Sequence, residues 1–561
     1  MNLIDRRLGL LFASFVALLV LVLIRATWLQ AVEGSGYRAD AHSQQTETVM
    51  VPGVRGAILD RNGKALALSE EAVSVFATPY QVEDPPAAAA KLAGVLGVDQ
   101  NKLLEQLADP DSGFEYLARK VDLPTAESIE KLKLAGIGLL PDSRRIYPEG
   151  ELASQVIGTA GIDNQGLTGL EASEEEILHG SDGEREITRD ALGDELERDT
   201  IAAAAGGSDI RLTLDAAIQA TTERVINEIG ETYDPDGATA IVMDPRTSEV
   251  LAMANWPGVD PYALDESQPE DLQNMATSFT FEPGSTFKAF TVAGALGEGL
   301  VKPSTPFGLP PTITVADRTI EEAHPRGPAT LTVADILAQS SNVGAVTIGL
   351  ELNRERGDDA FDNWIRAFGF GEPTGIEFPG EEQGIVLSPD EYSGSSMGNL
   401  PIGQGLAVTP IQMASAFAAI ANGGVLRTPK LILEEDGEAT PTDSGERVIS
   451  EKNSARLREM LEGVLEPGGT ASVQVPGYVL AGKTGTAQKV VDGTYSETEY
   501  VGSFIGFAPA EDPRLLVSVV VDNPPYGSHY GGTVAAPAFG EIAKFALPHL
   551  GVAAENSATT P

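Results

Sequence analysis

The chain has 561 residues, 42% hydrophobic and 21% charged, a globular composition with length for several domains and a sizeable core. Its 38 Lys and Arg against 82 Asp and Glu leave a net charge of −44, which argues against nucleic acid as a partner because phosphates need cations. Cysteine is absent, which excludes disulfides, thiolate nucleophiles, iron–sulfur clusters and cysteine zinc sites, and the five histidines show no metal-ligand spacing, so no metal is expected.

Arg6 and Arg7 precede an uncharged apolar run, residues 8–24. With Arg25 snorkelling and Trp28 at the interface, residues 8–28 are long enough to span a bilayer. No small-x-small cleavage pattern directly follows, so the run reads as an anchor and not as a cleaved signal. The two arginines assign residues 1–7 to the cytoplasm and everything after 28 to the outside, a single-pass type II arrangement.

Residues 29–205 read as a mixed strand and helix region. Residues 55–69 alternate like a hairpin around Asn62-Gly63, 87–108 and 125–135 read as helical, and the acidic run 171–176 reads as a solvated helix face. Residues 200–208 have linker composition. A second domain, 206–550, opens with a strand at 210–214 and a helix from Asp215. Further strands are predicted at 238–243 and 250–254, then at 502–507 and 515–521, followed by a helix over about 537–547. Strands at both ends with helices between them predict one sheet closed by both termini of the domain, an α+β fold. Residues 551–561 read as a frayed tail, with no internal repeat and no appended C-terminal module.

The strongest chemical signal is EPGSTFK at 282–288. Pro283 and Gly284 end an irregular stretch, which puts Ser285 at the start of an apolar helix over 285–297. Lys288 follows about one turn later on the same face. A serine hydroxyl needs a base, and a lysine serves only when burial, other cations or the helix dipole lower its pKa. Ser128-x-x-Lys131 fits the same pattern, so the motif alone is weak. Two later strings strengthen it. Ser340-Ser341-Asn342 follows a helical run at 331–339, and Lys483-Thr484-Gly485-Thr486 follows a strand-like stretch at 478–481. S-x-x-K, S-x-N and K-T-G in this order are the active-site set of penicillin-binding proteins and class A β-lactamases.

With these strings the chain resembles a class B penicillin-binding protein of the cell-division type, a membrane-anchored peptidoglycan D,D-transpeptidase. The resemblance covers nearly the whole chain: RGAILDRNG at 55–63, RRIYPEGELASQVIG at 144–158, GLTGLE at 166–171, LTLDAAIQ at 212–219, FGFGEPTGIEFPGE at 368–381, IGQGLAVTPIQMA at 402–414 and NGG at 422–424. It implies a transpeptidase domain of the penicillin-binding and serine β-lactamase type on an elongated non-catalytic pedestal. Ser285 would attack a D-Ala-D-Ala stem peptide, with Lys288 as its base. Ser340 would relay a proton to the leaving group, and Asn342 would bind substrate and hold Lys288. Lys483, with the Thr484 or Thr486 hydroxyl, would take the substrate carboxylate, and Gly485 would permit close backbone approach. The Ser285 and Thr486 N–H groups would form the oxyanion hole. The implied partners are stem peptides on lipid-linked precursor strands, β-lactam antibiotics, an integral-membrane glycan polymerase and other division proteins, with no cofactor.

Rival readings stay open. They are an elongation-type transpeptidase, a hydrolase, and a penicillin-binding sensor or scaffold without turnover. No E-x-x-L-N string offers the deacylating glutamate of a class A β-lactamase. The G-x-S-x-G string at 394–398 lacks the strand and helix of a nucleophile elbow, His529 reads as part of a surface loop, and Phe279, Phe281 and Phe287 read as core.

Overall fold

The computed structural model describes residues 3–31, 46–109, 112–189, 195–491 and 493–554. His42 and residues 555–561 of the expected tail lie outside these. The N-terminal helix Leu3–Ala31 contains a 25-residue stretch, Arg6–Gln30, of mean hydropathy 2.6. Its apolar side chains are exposed all round, Leu8 at 67% and Ile24 at 60% among them. At 1.5 Å per residue it is ~37 Å long, against a hydrocarbon core of about 30 Å, and it fits a single-pass membrane anchor.

The rest divides into two compact units that the chain enters alternately. The first holds Met1–Val54, Glu70–Arg144 and Gly180–Gly207. Its three-stranded sheet places Gly183–Arg189 between Thr46–Val51 and Glu195–Ala202. The helical stretch expected at 87–108 is two helices, Pro85–Leu96 and Gln100–Leu107, each capped by an aspartate, Asp84 and Asp99. Gly97 separates them at φ 67°, a conformation that costs a side-chain-bearing residue about 1 kcal/mol. Ser128 lies exposed on the helix Leu123–Glu130. Its hydroxyl bonds back to the Pro124 carbonyl, and Lys131 pairs with Glu127 at 3.5 Å, so the second S-x-x-K string is a solvated helix surface.

The second unit holds Arg55–Ser69, Arg145–His179 and Ser208–Pro561. The sequence reading assigns the first two of these segments to the pedestal; in space they pack with the catalytic strings. Ile58, Leu66, Val156, Ile157, Leu170 and Leu178 join one core cluster with Phe287, Leu352 and Phe417. The hairpin at 55–69 forms as expected, with Ile58 opposite Ala67 and Gly63 at φ 84° in the turn.

Five elements build the unit's main sheet: β1 (Gly237–Asp244), β2 (Glu249–Trp256), β3 (Ala481–Val491), β4 (Thr494–Ala508) and β5 (Leu515–Asp522). They run antiparallel in the order β2-β1-β5-β4-β3, so strands from both ends of the unit share one sheet. Helices α1 (Ala216–Tyr233) and α5 (Ala536–His549) cover one face, through Ile226, Ile229, Phe539 and Ile542 against Ala240, Val517 and Val519. The other face, with Ile241 and Leu516, packs on α4 (Pro410–Ala421), and α2 (Lys288–Gly297) and α3 (Asn342–Arg356) belong to the same core cluster. Burial on both faces is why β1 and β5 read as mainly apolar runs and not as alternating ones. The strand expected at 210–214 exists as Ile210–Leu212, but in another sheet, beside Ile58–Leu59 and Ile432–Glu435.

The acidic run 171–176 corrects a second expectation. Glu171 is 0% exposed. Its carboxylate accepts from Arg145 Nε at 2.7 Å and Arg55 Nε at 2.5 Å. Arg55 also donates to the Asn164 carbonyl and to Glu175, and Arg145 to the Gly56 carbonyl. Two buried guanidiniums thus share one carboxylate, and Arg145 has no other ion-pair partner among the described residues. Glu171→Ala should cost about 3–5 kcal/mol, read as a fall in the denaturant midpoint, because it strands the Arg145 charge and leaves Arg55 with Glu175 alone.

Candidate active site

Ser285 lies in a 3₁₀ turn, Gly284–Phe287, that runs directly into α2. Gly284 adopts φ 53°, and a Cβ there would lie 3.0 Å from the Thr486 carbonyl oxygen. At Gly485 a Cβ would come within 2.8 Å of the Pro283 carbonyl. The nucleophile turn is therefore packed directly on β3, and only glycine permits that approach. Lys483 to Thr486 stand on β3 itself, opposite Ile505 to Gly502 of β4. The strand-like stretch expected at 478–481 is strand only from Ala481, and the string lies on that strand, at one edge of the sheet.

Lys288 is fully buried behind Ser285. Its ammonium donates to the Ser340 carbonyl at 2.6 Å, Ser340 Oγ at 3.1 Å and Asn342 Oδ1 at 2.6 Å. Lys483 is equally buried and reaches the same Ser340 Oγ at 3.1 Å. One hydroxyl thus bridges two buried ammonium groups. Ser340 is held at φ 58°, the left-handed region, which turns its carbonyl and hydroxyl together onto Lys288. Asn342 begins α3, and Ser341 caps that helix by accepting from the Gly344 N–H.

No carboxylate forms an ion pair with either lysine among the described residues. Burial therefore pushes Lys288 down to about 7, with Glu322 opposing the shift from a distance. Lys483 is pushed well down by its own burial and by the Lys288 charge. A base near neutrality one turn from a serine, relayed to a second cation through a hydroxyl, is equipped for acyl transfer. The cation pair favours a ligand carboxylate. Thr486 Oγ1 accepts from the Gly531 N–H and keeps its own proton to donate, while Thr484 pairs with Thr470 at 2.8 Å.

Glu322 is the residue the sequence reading missed. It accepts from Ser341 Oγ at 2.6 Å, the Asn342 N–H at 2.7 Å and Arg326 at 2.6 Å, and so fixes the 340–342 turn. Glu322→Ala should slow acylation about 10²-fold by letting Asn342 and Ser340 drift. It should also move the ascending limb of the pH–rate profile to lower pH, because the charge that raises the Lys288 pKa is gone. Penicillin acylation rates, with a melting curve of the same sample, check both. His529 also departs from expectation. Its loop is at the surface, but the ring is 5% exposed, stacked on Tyr500 at 4.1 Å between Tyr526 and Tyr530. Phe281 and Phe287 are core, as read. Ser396 of the G-x-S-x-G string lies in a polar turn, accepting from the Ser393 N–H.

Comparison with known proteins assigns the family. The penicillin-binding protein transpeptidase domain matches residues 238–544, and the penicillin-binding protein dimerisation domain matches residues 50–212. The chain is a class B penicillin-binding protein. It is 37% identical to stage V sporulation protein D of Bacillus subtilis, over 97% of this chain and 86% of that one. It is 33% identical to the peptidoglycan D,D-transpeptidase FtsI of Escherichia coli K12, over 96% and 91%. Among solved structures, penicillin-binding protein 3 of Mycobacterium tuberculosis in complex with ampicillin matches at TM-score 0.71 and 30% identity, covering 91% of this chain and 99% of that one. The class B penicillin-binding proteins are serine acyl-transferases of peptidoglycan, and the chain carries their transpeptidase domain.

Proposed function

We propose that this class B penicillin-binding protein cross-links septal peptidoglycan from outside the cytoplasm, held there by its N-terminal helix with Arg6 and Arg7 inside. Ser285 Oγ attacks the carbonyl carbon of the penultimate D-Ala while Lys288 takes the hydroxyl proton. The tetrahedral oxyanion is held by the Ser285 and Thr486 N–H groups. Its collapse breaks the C–N bond, and Ser340 passes a proton to the departing D-Ala amine. The amine of a neighbouring stem then attacks the ester, which frees Ser285 and leaves a new amide. Lys483 and the Thr484 or Thr486 hydroxyl hold the terminal carboxylate, and Asn342 orients both the stem amide and Lys288. The donor stem lies extended along β3, whose outer edge has no strand partner among the described residues.

The observation that carries this reading is the Ser340 hydroxyl at 3.1 Å from both buried lysines, which ties three distant strings into one proton path. β-Lactams, whose carboxylate imitates the stem terminus, occupy the same cradle, and glycan polymerisation is left to an integral-membrane partner. The region 29–205 serves as the pedestal for this unit and for division partners. Depleting the protein in its host and complementing with Ser285→Ala tests the proposal: wild type should restore septa and cross-links, and the variant should leave filaments or unseparated chains. Swollen cells with normal septa on depletion would assign the chain to elongation, and rescue by Ser285→Ala would make it a scaffold.

A further inference from the structure

A second cavity, of about 760 Å³, opens in the catalytic unit beside α1 and the turn at 149–152. Its walls carry six carboxylates: Glu149, Glu151, Glu223, Glu228, Glu231 and Asp260. Two already have cations, Glu149 from Lys64 at 2.7 Å and Glu228 from Arg224. Glu151, Glu223, Glu231 and Asp260 have no cationic partner among the described residues. Such a concentration of uncompensated negative charge calls for a positive ligand.

An inner recess of about 30 Å³ shares Glu151, Glu223 and Asn227 with this cavity, and Asn255 of β2 lines it. Asn255 is 5% exposed, and neither its Oδ1 nor its Nδ2 has a hydrogen-bond partner among the described residues. A buried primary amide left unsatisfied is costly, so the recess is shaped for a polar group of one or two heavy atoms. Glu223 Oε1 is used by the Ala153 N–H at 2.7 Å and Gln219 at 2.8 Å, and its second oxygen makes no bond among the described residues. Burial pushes this carboxyl up to about 7, its Gln219 and Ala153 bonds oppose the shift, and Glu151 adds to it, as befits a carboxyl that lacks a cation. Asn255 Oδ1, Glu223 Oε2 and Asn227 together offer acceptors for the three donors of a primary ammonium. Farther out, the ring of Tyr262 is 61% exposed, and its hydroxyl is fixed by the Tyr147 N–H at 2.7 Å. It gives an aromatic wall for methylenes or a second cationic centre. No group of three or more ligand-type side chains could hold a metal ion among the described residues, which leaves an organic cation.

We infer that this cavity binds an aliphatic primary ammonium, its head in the recess between Glu223 and Asn255 and its chain along Tyr262. The chemistry is shared by free polyamines and by lysine side chains. Calorimetric titration of the full chain in neutral detergent tests it, with spermidine and Nα-acetyl-lysine methylamide as probes and Mg²⁺ as control. Saturable one-site binding of either probe is expected, about tenfold or more weaker in Glu223→Gln and in Asn255→Leu. Glu223→Gln keeps the acceptor for Ala153, so it should fold and melt like the parent, and penicillin labelling of Ser285 should be unchanged. Stronger spermidine binding would mark a free polyamine site, and stronger binding of the lysine derivative a peptide side chain. Absence of saturable binding by both probes, equal affinity in Glu223→Gln, or displacement by equimolar Mg²⁺ would overturn the proposal.

Discussion

Acylation of Lys288→Ala by penicillin should run about 10²–10⁴-fold slower than that of the parent chain, the usual worth of a positioned general base. The side chain is fully buried with three acceptors around it and no carboxylate in contact, so burial alone pushes it down to about 7. In the proposed mechanism the neutral amine is the base. Its fraction therefore falls about tenfold for each unit below 7 and saturates above it. The second-order acylation constant, which reports the free enzyme, should rise as pH passes through about 7 and then level. Lys288→Arg separates base from charge. It keeps a cation opposite Asn342 and Ser340 but cannot give up its proton, and it should be as slow as the alanine variant. Stopped-flow acylation across pH, with melting curves for each variant, makes the measurement. An Arg variant as fast as wild type would mean that Lys288 acts only as a fixed charge.

The catalytic constellation is legible in the sequence because each part is a short string with its own local structure. Ser285 and Lys288 share one turn, Ser340 and Asn342 share another, and Lys483 to Thr486 lie on one strand. The main sheet is legible for a related reason: strands buried on both faces are predominantly apolar, as in β1 and β5, where Thr239 and Ser518 are the interior exceptions. What depends on long-range pairing is not legible. Glu171 sits in an acidic run whose default is solvent, and only folding brings Arg55, 116 positions earlier, onto it. Glu322 precedes Asn342 by 20 positions with no motif of its own, and its role exists only because the chain returns to bond the Asn342 N–H. The interleaving of the two units hides in the same way. The segments Arg55–Ser69 and Arg145–His179 reach the catalytic core through pairings such as Ile58 with Ile210. A truncated chain beginning at 206 would lose that strand and the Glu171 cluster together, and should melt at a lower temperature than one that keeps residues 55–69 and 145–179.

The adduct between penicillin and Ser285 should persist, and the reason lies in which carboxylates surround the turn. The opened lactam keeps its leaving amine tethered, so neither D-Ala release nor acceptor entry clears the site. Hydrolysis would need a free carboxylate aimed at a water on the ester. Glu322 is occupied by Ser341, Asn342 and Arg326. Glu282, three residues before the nucleophile, is anchored through Oε1, which accepts from the Gly405 N–H at 2.8 Å and the Tyr495 hydroxyl at 3.1 Å. In the proposed mechanism Lys288 serves the serine side. Lacking a deacylating base typically slows that step by about 10²–10⁴-fold. Intact-mass spectrometry should show one added penicillin on the parent chain, stable through extended incubation, none on Ser285→Ala, and an unaltered adduct on Ser128→Ala. Rapid return to the unmodified mass with hydrolysed drug accumulating would instead identify a β-lactamase, and would point to Glu282 as the group that activates the water.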